Sequence, residues 1–166
     1  MALSAAGSRR PVLLSLIAVD ATSLADWVDG GPLTDSWQAA VRQQVAAGWP
    51  PDLVLWQQGE ADARAGTPAA AYARRLLGLA QGLRDQGVRA PVLVADSTTC
   101  RQPEGIQAVR DGRRQALQAD RQLRPGPDLD SGLTDGQRLD GCHLNRQGLA
   151  AAASAWAAAI LREAAA

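Results

Sequence analysis

His143 is the only histidine of the chain, and it follows Asp140 by three residues in the stretch DGCHLNRQG, residues 140–148. A single histidine is the default place for proton transfer near neutral pH, because no other side chain has an unperturbed pKa in that range. An aspartate beside it can hold the ring and stabilise the imidazolium. Taken alone, the same residues also suit a histidine that caps a helix or fills a polar core position. Asp140 also reads as one more turn aspartate in a loop that holds Asp128, Asp130 and Asp135. A second polar group, QQGEAD at 57–62, comes directly after the apolar DLVLW of 52–56. Gln58 carries an amide that can donate, Gly59 allows close backbone approach, and Glu60 adds a carboxylate. By themselves Gln58 and Glu60 serve equally well as caps of a following helix or as solvated residues. Cys100 and Cys142 permit one disulfide at most, and with neither a CxxC nor a Cys/His cluster the sequence points to no metal site.

Composition narrows what such groups could act on. Lys+Arg and Asp+Glu balance at 17 each over 166 residues, so no net field favours nucleic acid or an anionic membrane surface. A small or neutral substrate fits better. A hydrophobic fraction of 46% and a charged fraction of 20% belong to a folded chain, and the length suits one domain spanning 1–166. No apolar run is long enough to span a bilayer as a helix. Arg9 and Arg10 ahead of PVLLSLIAV and the small residues of VDATS have the order of a signal peptide. A buried strand over 11–19 is preferred, because Asp20 and TSLADW suit a turn from strand into helix.

The elements that must position these groups alternate. After the first strand, Thr34 or Asp35 caps a helix with Trp37, Val41 and Val45 on one side, ended by Gly48, Pro50 and Pro51. Residues 52–56 form a second strand. Thr67 as cap and Pro68 at the first position open a helix with Tyr72, Leu76, Leu79 and Leu83 on one face and Arg74, Arg75 and Arg84 on the other, closed by Gly87. PVLVAD, 91–96, is a third strand that ends in Ser97, Thr98, Thr99 and Cys100. Glu104 to Leu123 reads as an amphipathic helix on Ile106, Val109 and Leu117 with its arginines outward. The Gly, Pro and Asp-rich segment 124–140 reads mostly as loop with a very short strand at its start, and Asn145 caps a last helix that packs Trp156 and Ile160 inward. Trp56 and Tyr72 read as core residues rather than sugar-stacking platforms.

Alternation of strand and helix implies parallel strands and right-handed crossovers, hence a three-layer α/β/α sandwich. Ligands of such folds sit beyond the C-terminal ends of the strands. VDATS, QQGEAD, DSTTC and DGCH all fall there, so four segments are expected on one rim. No GxGxxG follows the first strand, which speaks against a dinucleotide site.

These residues resemble the SGNH hydrolase superfamily, and within it the sialate O-acetylesterase-like carbohydrate esterases. LWQQGEAD at 55–62 is similar to that group's WHQGESD block, DGCHLNRQG to its C-terminal Asp-x-x-His block, and ATSLADW at 21–27 to its GGTSLADW-like segment. The resemblance covers nearly the whole chain and implies a flavodoxin-like parallel sheet of order 2-1-3-4-5. It implies His143 as general base and Asp140 as the group that orients it, because a serine hydroxyl is a poor nucleophile until a positioned base takes its proton. It makes Gln58 an oxyanion donor, a role worth about 3 kcal/mol where such donors are removed, with Gly59 giving close approach and Glu60 supporting the site. The substrate implied is a small-molecule or glycan ester, with no cofactor. It further implies that Cys100 and Cys142 share the active rim, and a disulfide between them suits an exported, periplasmic or secreted, protein.

The chain departs from the family in two places. The nucleophilic serine belongs to a GDS-like or GQSN-like block after the family's first strand, and no such block is present. Ser23 reads as a helix cap, Ser15 lies in the apolar run, and Ser4 and Ser8 lack a supporting glycine or strand. PVLLSLIAV then corresponds to the family's second strand, and the expectation is an N-terminally truncated esterase; a non-catalytic remnant that binds a ligand or protein is the alternative. Asp20 stands where the family pattern has glycine, and a carboxylate there would oppose developing negative charge.

Overall fold

Val92, Leu93, Val94 and Ala95 are each 2% exposed or less, and this four-residue apolar run is the centre of the sheet. The computed structural model describes residue 3, residues 11–101 and residues 104–165. Its strands are β1 Val54–Trp56, β2 Val92–Asp96 and β3 Leu123–Asp128, all parallel and in the order β1-β2-β3. The helices are α1 Thr34–Ala46, α2 Glu60–Arg64, α3 Ala69–Asp85, α4 Ile106–Ala119 and α5 Arg146–Ala164, with single 3-10 turns at Leu24–Asp26 and Asp135–Gln137. Residues buried on both faces of β2 require cover on both sides. Val92 and Val94 face a core built with Leu76, Leu79, Leu83, Val109 and Ala116 of α3 and α4, while Ala95 joins Leu129, Leu133 and Ala152 beneath α5. The α/β architecture expected from the alternation is present.

Several expectations are corrected. PVLLSLIAV forms no strand: residues 11–19 have no regular secondary structure, and Leu13, Leu14 and Leu16 are 71%, 75% and 87% exposed. An apolar run becomes a strand only where it is paired with a neighbour that takes its backbone groups, and among the described residues β1 pairs with β2 alone. The charged region at Arg9 and Arg10, like Ser4 and Ser8, lies outside the described residues.

Other corrections are local. Thr34 begins α1 instead of capping it, with Leu33 in the cap position and no side-chain cap from either Thr34 or Asp35. Thr67 turns its hydroxyl inward to Asp62 Oδ1 at 2.8 Å, so Pro68 occupies the cap position of α3 without a side-chain bond. The α4 helix stops at Ala119 rather than Leu123, because Leu123, 1% exposed, is drawn into the sheet. Its arginines are not all outward: Arg113 is 7% exposed and donates to Val94 O at 2.7 and 3.0 Å while pairing with Asp96 at 3.0 Å. β3 is six residues long despite the sequence LRPGPD, tolerated because an edge strand needs donors on one side only.

Other features follow the expected pattern. Gly48 and Gly87 close α1 and α3 at φ +82° and +86°, a conformation that favours glycine. Asn145 caps α5, its side-chain oxygen accepting from Gln147 N at 2.9 Å and Gly148 N at 3.0 Å. Trp156 packs against the core beneath α5 and donates from Nε1 to Gln57 Oε1 at 3.0 Å, which ties that helix to the end of β1. Ser23 and Asp26 form a capping box around the first 3-10 turn.

Candidate active site

The Asp140 carboxylate organises its own loop. Oδ1 accepts from the backbone N of Cys142 at 3.0 Å and of His143 at 2.9 Å, and Oδ2 lies 2.9 Å from His143 Nδ1. The hydrogen bond from the His143 backbone, then that from its ring, hold the Asp140 carboxyl down to about 2. Asp140 is therefore ionised at neutral pH and fixes the side of the imidazole that bears Nδ1. Nε2 is left as the nitrogen able to exchange a proton with another group. His143 is 67% exposed at its side chain, so neither a buried core role nor the cap of α5, which Asn145 supplies, describes it.

The QGE segment leaves β1 and starts α2. Gly59 passes so close to the end of β2 that a Cβ on it would stand 2.6 Å from Ser97 O. The close approach brings Glu60 Oε1 to 2.6 Å from Ser97 Oγ, which donates to it. Gln58 is 9% exposed, and its Nε2 donates to Asp62 Oδ2 at 2.7 Å and to Thr22 O at 3.2 Å. Both amide hydrogens are thus engaged inside the protein. Tyr72, buried, donates its hydroxyl to Gln58 O at 3.0 Å. Desolvation raises that phenol far above its ordinary value, and it stays a neutral donor.

Gln58, Glu60, Asp140 and His143 line one cavity of about 770 Å³, at the C-terminal ends of the strands where the four polar segments were expected to converge. Asp20 and Thr22 border it as well, and the turn between them places Ala21 at φ +58°. Residues 16–19 and Leu55 form its apolar side. Among the described serines, Ser97 lines this cavity, but its hydroxyl is held by Glu60 rather than by His143. Ser15 is exposed and Ser23 is held by Asp26.

The family model for "Carbohydrate esterase, sialic acid-specific acetylesterase" matches residues 1–162. The chain belongs to this family. Among solved structures, the acetylesterase-family chain is similar to a protein from Arabidopsis thaliana, with a TM-score of 0.70 and 20% identity over 85% of this chain and 57% of that one. It is also similar to a carbohydrate esterase family 3 protein from Talaromyces cellulolyticus, with a TM-score of 0.67 and 18% identity over 86% of this chain and 68% of that one. This acetylesterase-family chain therefore spans little more than half the length of the Arabidopsis protein. No curated protein matches it in sequence.

Two residues escaped the sequence reading of this acetylesterase-family site. Asp62, with a fully buried side chain, accepts from Leu24 N, Gln58 Nε2 and Thr67 Oγ1 at 2.7, 2.7 and 2.8 Å. The four-residue spacing from Gln58 at a helix start was the available signal. Arg138 spans the other side, donating to Thr99 O, Cys142 O and Leu129 O at 3.3, 2.8 and 2.9 Å. Nothing in its loop sequence marks it. Cys100 and Cys142 are joined as a disulfide.

Proposed function

We propose that this chain carries the base side of an ester hydrolase that removes O-acyl groups, O-acetyl in the first instance, from a carbohydrate or a similar small ester. The observation that supports it most is the Asp140–His143 pair at 2.9 Å on the cavity that Gln58 and Glu60 also line. In this reading His143 Nε2 takes the proton of a serine hydroxyl as the oxygen attacks the acyl carbon, and returns it to the leaving alcohol. Asp140 keeps Nδ1–H in place and offsets the positive charge of the imidazolium. Water then repeats the sequence on the acyl-enzyme.

The same reading assigns Gln58 to the oxyanion. Its amide would release the longer bond, to Thr22 O at 3.2 Å, and keep that to Asp62 at 2.7 Å. Gly59 keeps that segment close to Ser97, and Glu60 holds the Ser97 hydroxyl on the rim. The serine itself is assigned to a strand outside these 166 residues that pairs with the free edge of β1 and runs beside residues 16–19. That arrangement would cover the exposed Leu55 and the apolar wall of the cavity.

The engaged amide of Gln58 supports a second reading, a non-catalytic relative that uses the cavity to bind a ligand or a protein. Hydrolysis of p-nitrophenyl acetate separates the two. The chain as it stands, a chain extended upstream of Met1 in its reading frame, and the extended chain carrying His143→Ala are compared. Turnover that appears on extension and disappears with His143→Ala is expected. Equal background rates in all three would favour the binding protein.

A further inference from the structure

We propose that the Cys100–Cys142 disulfide is a reducible clamp that positions the Asp140–His143 pair against the rim, so that a dithiol can uncouple the pair from the rest of the site. Cys100 is the residue at which the DSTTC segment leaves the end of β2, and Cys142 immediately precedes His143. The Asp140 turn closes upon itself through bonds within 140–143. It does not by itself decide where His143 stands relative to Gln58 and Glu60. Burial holds only the far side, where Leu144 packs against the core beneath α5; Leu139 is 74% exposed and the His143 side chain 67%.

Few bonds tie the turn to the end of β2. Arg101 N donates to Gly141 O at 3.0 Å, Arg138 Nη1 donates to Thr99 O at 3.3 Å, and Arg101 approaches Asp140 at 4.0 Å with its own side chain 75% exposed. The exposed Arg101 contacts open readily and the half-buried Arg138 bond to Thr99 O is long, which leaves the covalent bond as the firmest connection. Arg101 is also held at φ +57°, a conformation a non-glycine residue keeps only where its surroundings impose it.

The bond borders two cavities, with Cys100 6% exposed and Cys142 half-buried. Cys100 and Cys142 line the 770 Å³ cavity, and Cys100 also lines a second cavity of about 440 Å³ with Arg64 and Arg101. A thiolate that comes in there meets two guanidinium groups and one carboxylate, that of Glu104. It attacks one sulfur to give a mixed disulfide; the second thiol of the reagent then displaces that sulfur. Two electrons pass to the protein, each cysteine sulfur ends as a protonated thiol, and the dithiol leaves as its cyclic disulfide. The clamp rests on the esterase reading only for the use to which His143 is put.

The test needs no turnover, so its failure is distinct from failure of that reading. Amide hydrogen exchange and amide NMR signals are compared for the full chain oxidised, reduced with dithiothreitol, and as Cys100→Ser/Cys142→Ser. We expect Arg101 N, which crosses to the turn, to exchange at least about tenfold faster on reduction. Signals of 99–101 and 139–143 move with it. Leu129 N, bonded to Asp96 O at 2.8 Å, should keep its protection, and reoxidation should restore the first state. Unchanged exchange at Arg101 would overturn the proposal by showing that Arg138 holds the turn alone. Loss of protection through β2 and β3 would overturn it too, by making the disulfide a support of the whole fold. Reversible reduction of the unaltered chain decides the matter even if the serine pair does not fold.

Discussion

Gln58 gives one amide hydrogen to the buried carboxylate of Asp62 at 2.7 Å, four residues further along the same chain. The aspartate gathers in addition the backbone of Leu24 and the hydroxyl of Thr67. The end of β1, the turn before α3 and the remote Leu24 turn thus depend on one carboxylate. Asp62→Ala leaves their donors unsatisfied in a dry interior. It should destabilise the protein by about 3 to 5 kcal/mol, the range for removing one partner of a buried charged network. Urea denaturation followed by tryptophan fluorescence measures it, and a loss below about 1 kcal/mol would mean that water replaces the carboxylate.

Gly59→Ala sets a methyl group 2.6 Å from Ser97 O, against backbone that cannot turn aside. The expected cost is about 1 to 3 kcal/mol for overpacking, with movement of Gln58 and Glu60 together. Thermal unfolding gives the cost. The amide signals of 58–60 and 97–98 report the movement, and an unperturbed spectrum would show that the strand ends are looser than the 2.6 Å approach requires.

Ala21 stands at φ +58°, where its Cβ is penalised and glycine is not. Ala21→Gly should raise stability by about 0.5 to 1 kcal/mol, the relief of the left-handed conformation less the added freedom of the unfolded chain. A lower melting temperature for this variant would contradict the turn geometry.

The Asp140 carboxyl, held down to about 2 from an ordinary 3.8, makes the order of its turn dependent on acid. A depressed carboxylate contributes stability that is present above the ordinary value and lost as pH falls through the folded one. The turn should therefore persist as pH falls to about 3 and open near 2. Carbon-detected NMR titration of the Asp140 carboxyl reads the midpoint directly. A midpoint at the ordinary 3.8 would show that the bonds from Cys142 and His143 are not held in solution.

Leu14 and Leu16 are 75% and 87% exposed, so Leu14→Asp and Leu16→Asp should change the stability of this chain by no more than about 0.5 kcal/mol. In a chain extended upstream the same substitutions should cost more, because a strand laid beside them would bury these positions. Paired urea titrations of the two lengths supply the comparison.

Sequence reasoning located the strands that carry their own instruction. Residues 92–96 are apolar throughout, and a segment buried on both faces needs nothing else to be recognised; Asn145 and the glycines that close α1 and α3 are equally local signals. The errors arose where a partner decides. PVLLSLIAV is apolar enough for a strand, but strand formation depends on pairing with a neighbouring strand, which the run itself does not encode. Leu123 belongs by pattern to a helix and by burial to the sheet. Arg113 has the composition of a surface residue, and the Val94 carbonyl and Asp96 draw it inward. For the site, residue type and order brought Gln58, Glu60, Asp140 and His143 to one cavity. Asp62 and Arg138 were missed because their importance lies in how many separate segments they hold, and spacing in one dimension does not show that.

Pro125 and Pro127 in β3 have a consequence at the level of the whole sheet. A strand with two prolines has fewer N–H groups to offer a newcomer, whereas the outer side of β1 carries none of these and lies next to the apolar residues 16–19. The sheet is therefore more open to lengthening beside β1 than beside β3. A chain that adds beside β1, from the same polypeptide or from a neighbour in a concentrated solution, lies against Leu55 and residues 16–19, which form part of the wall of the cavity that His143 also lines.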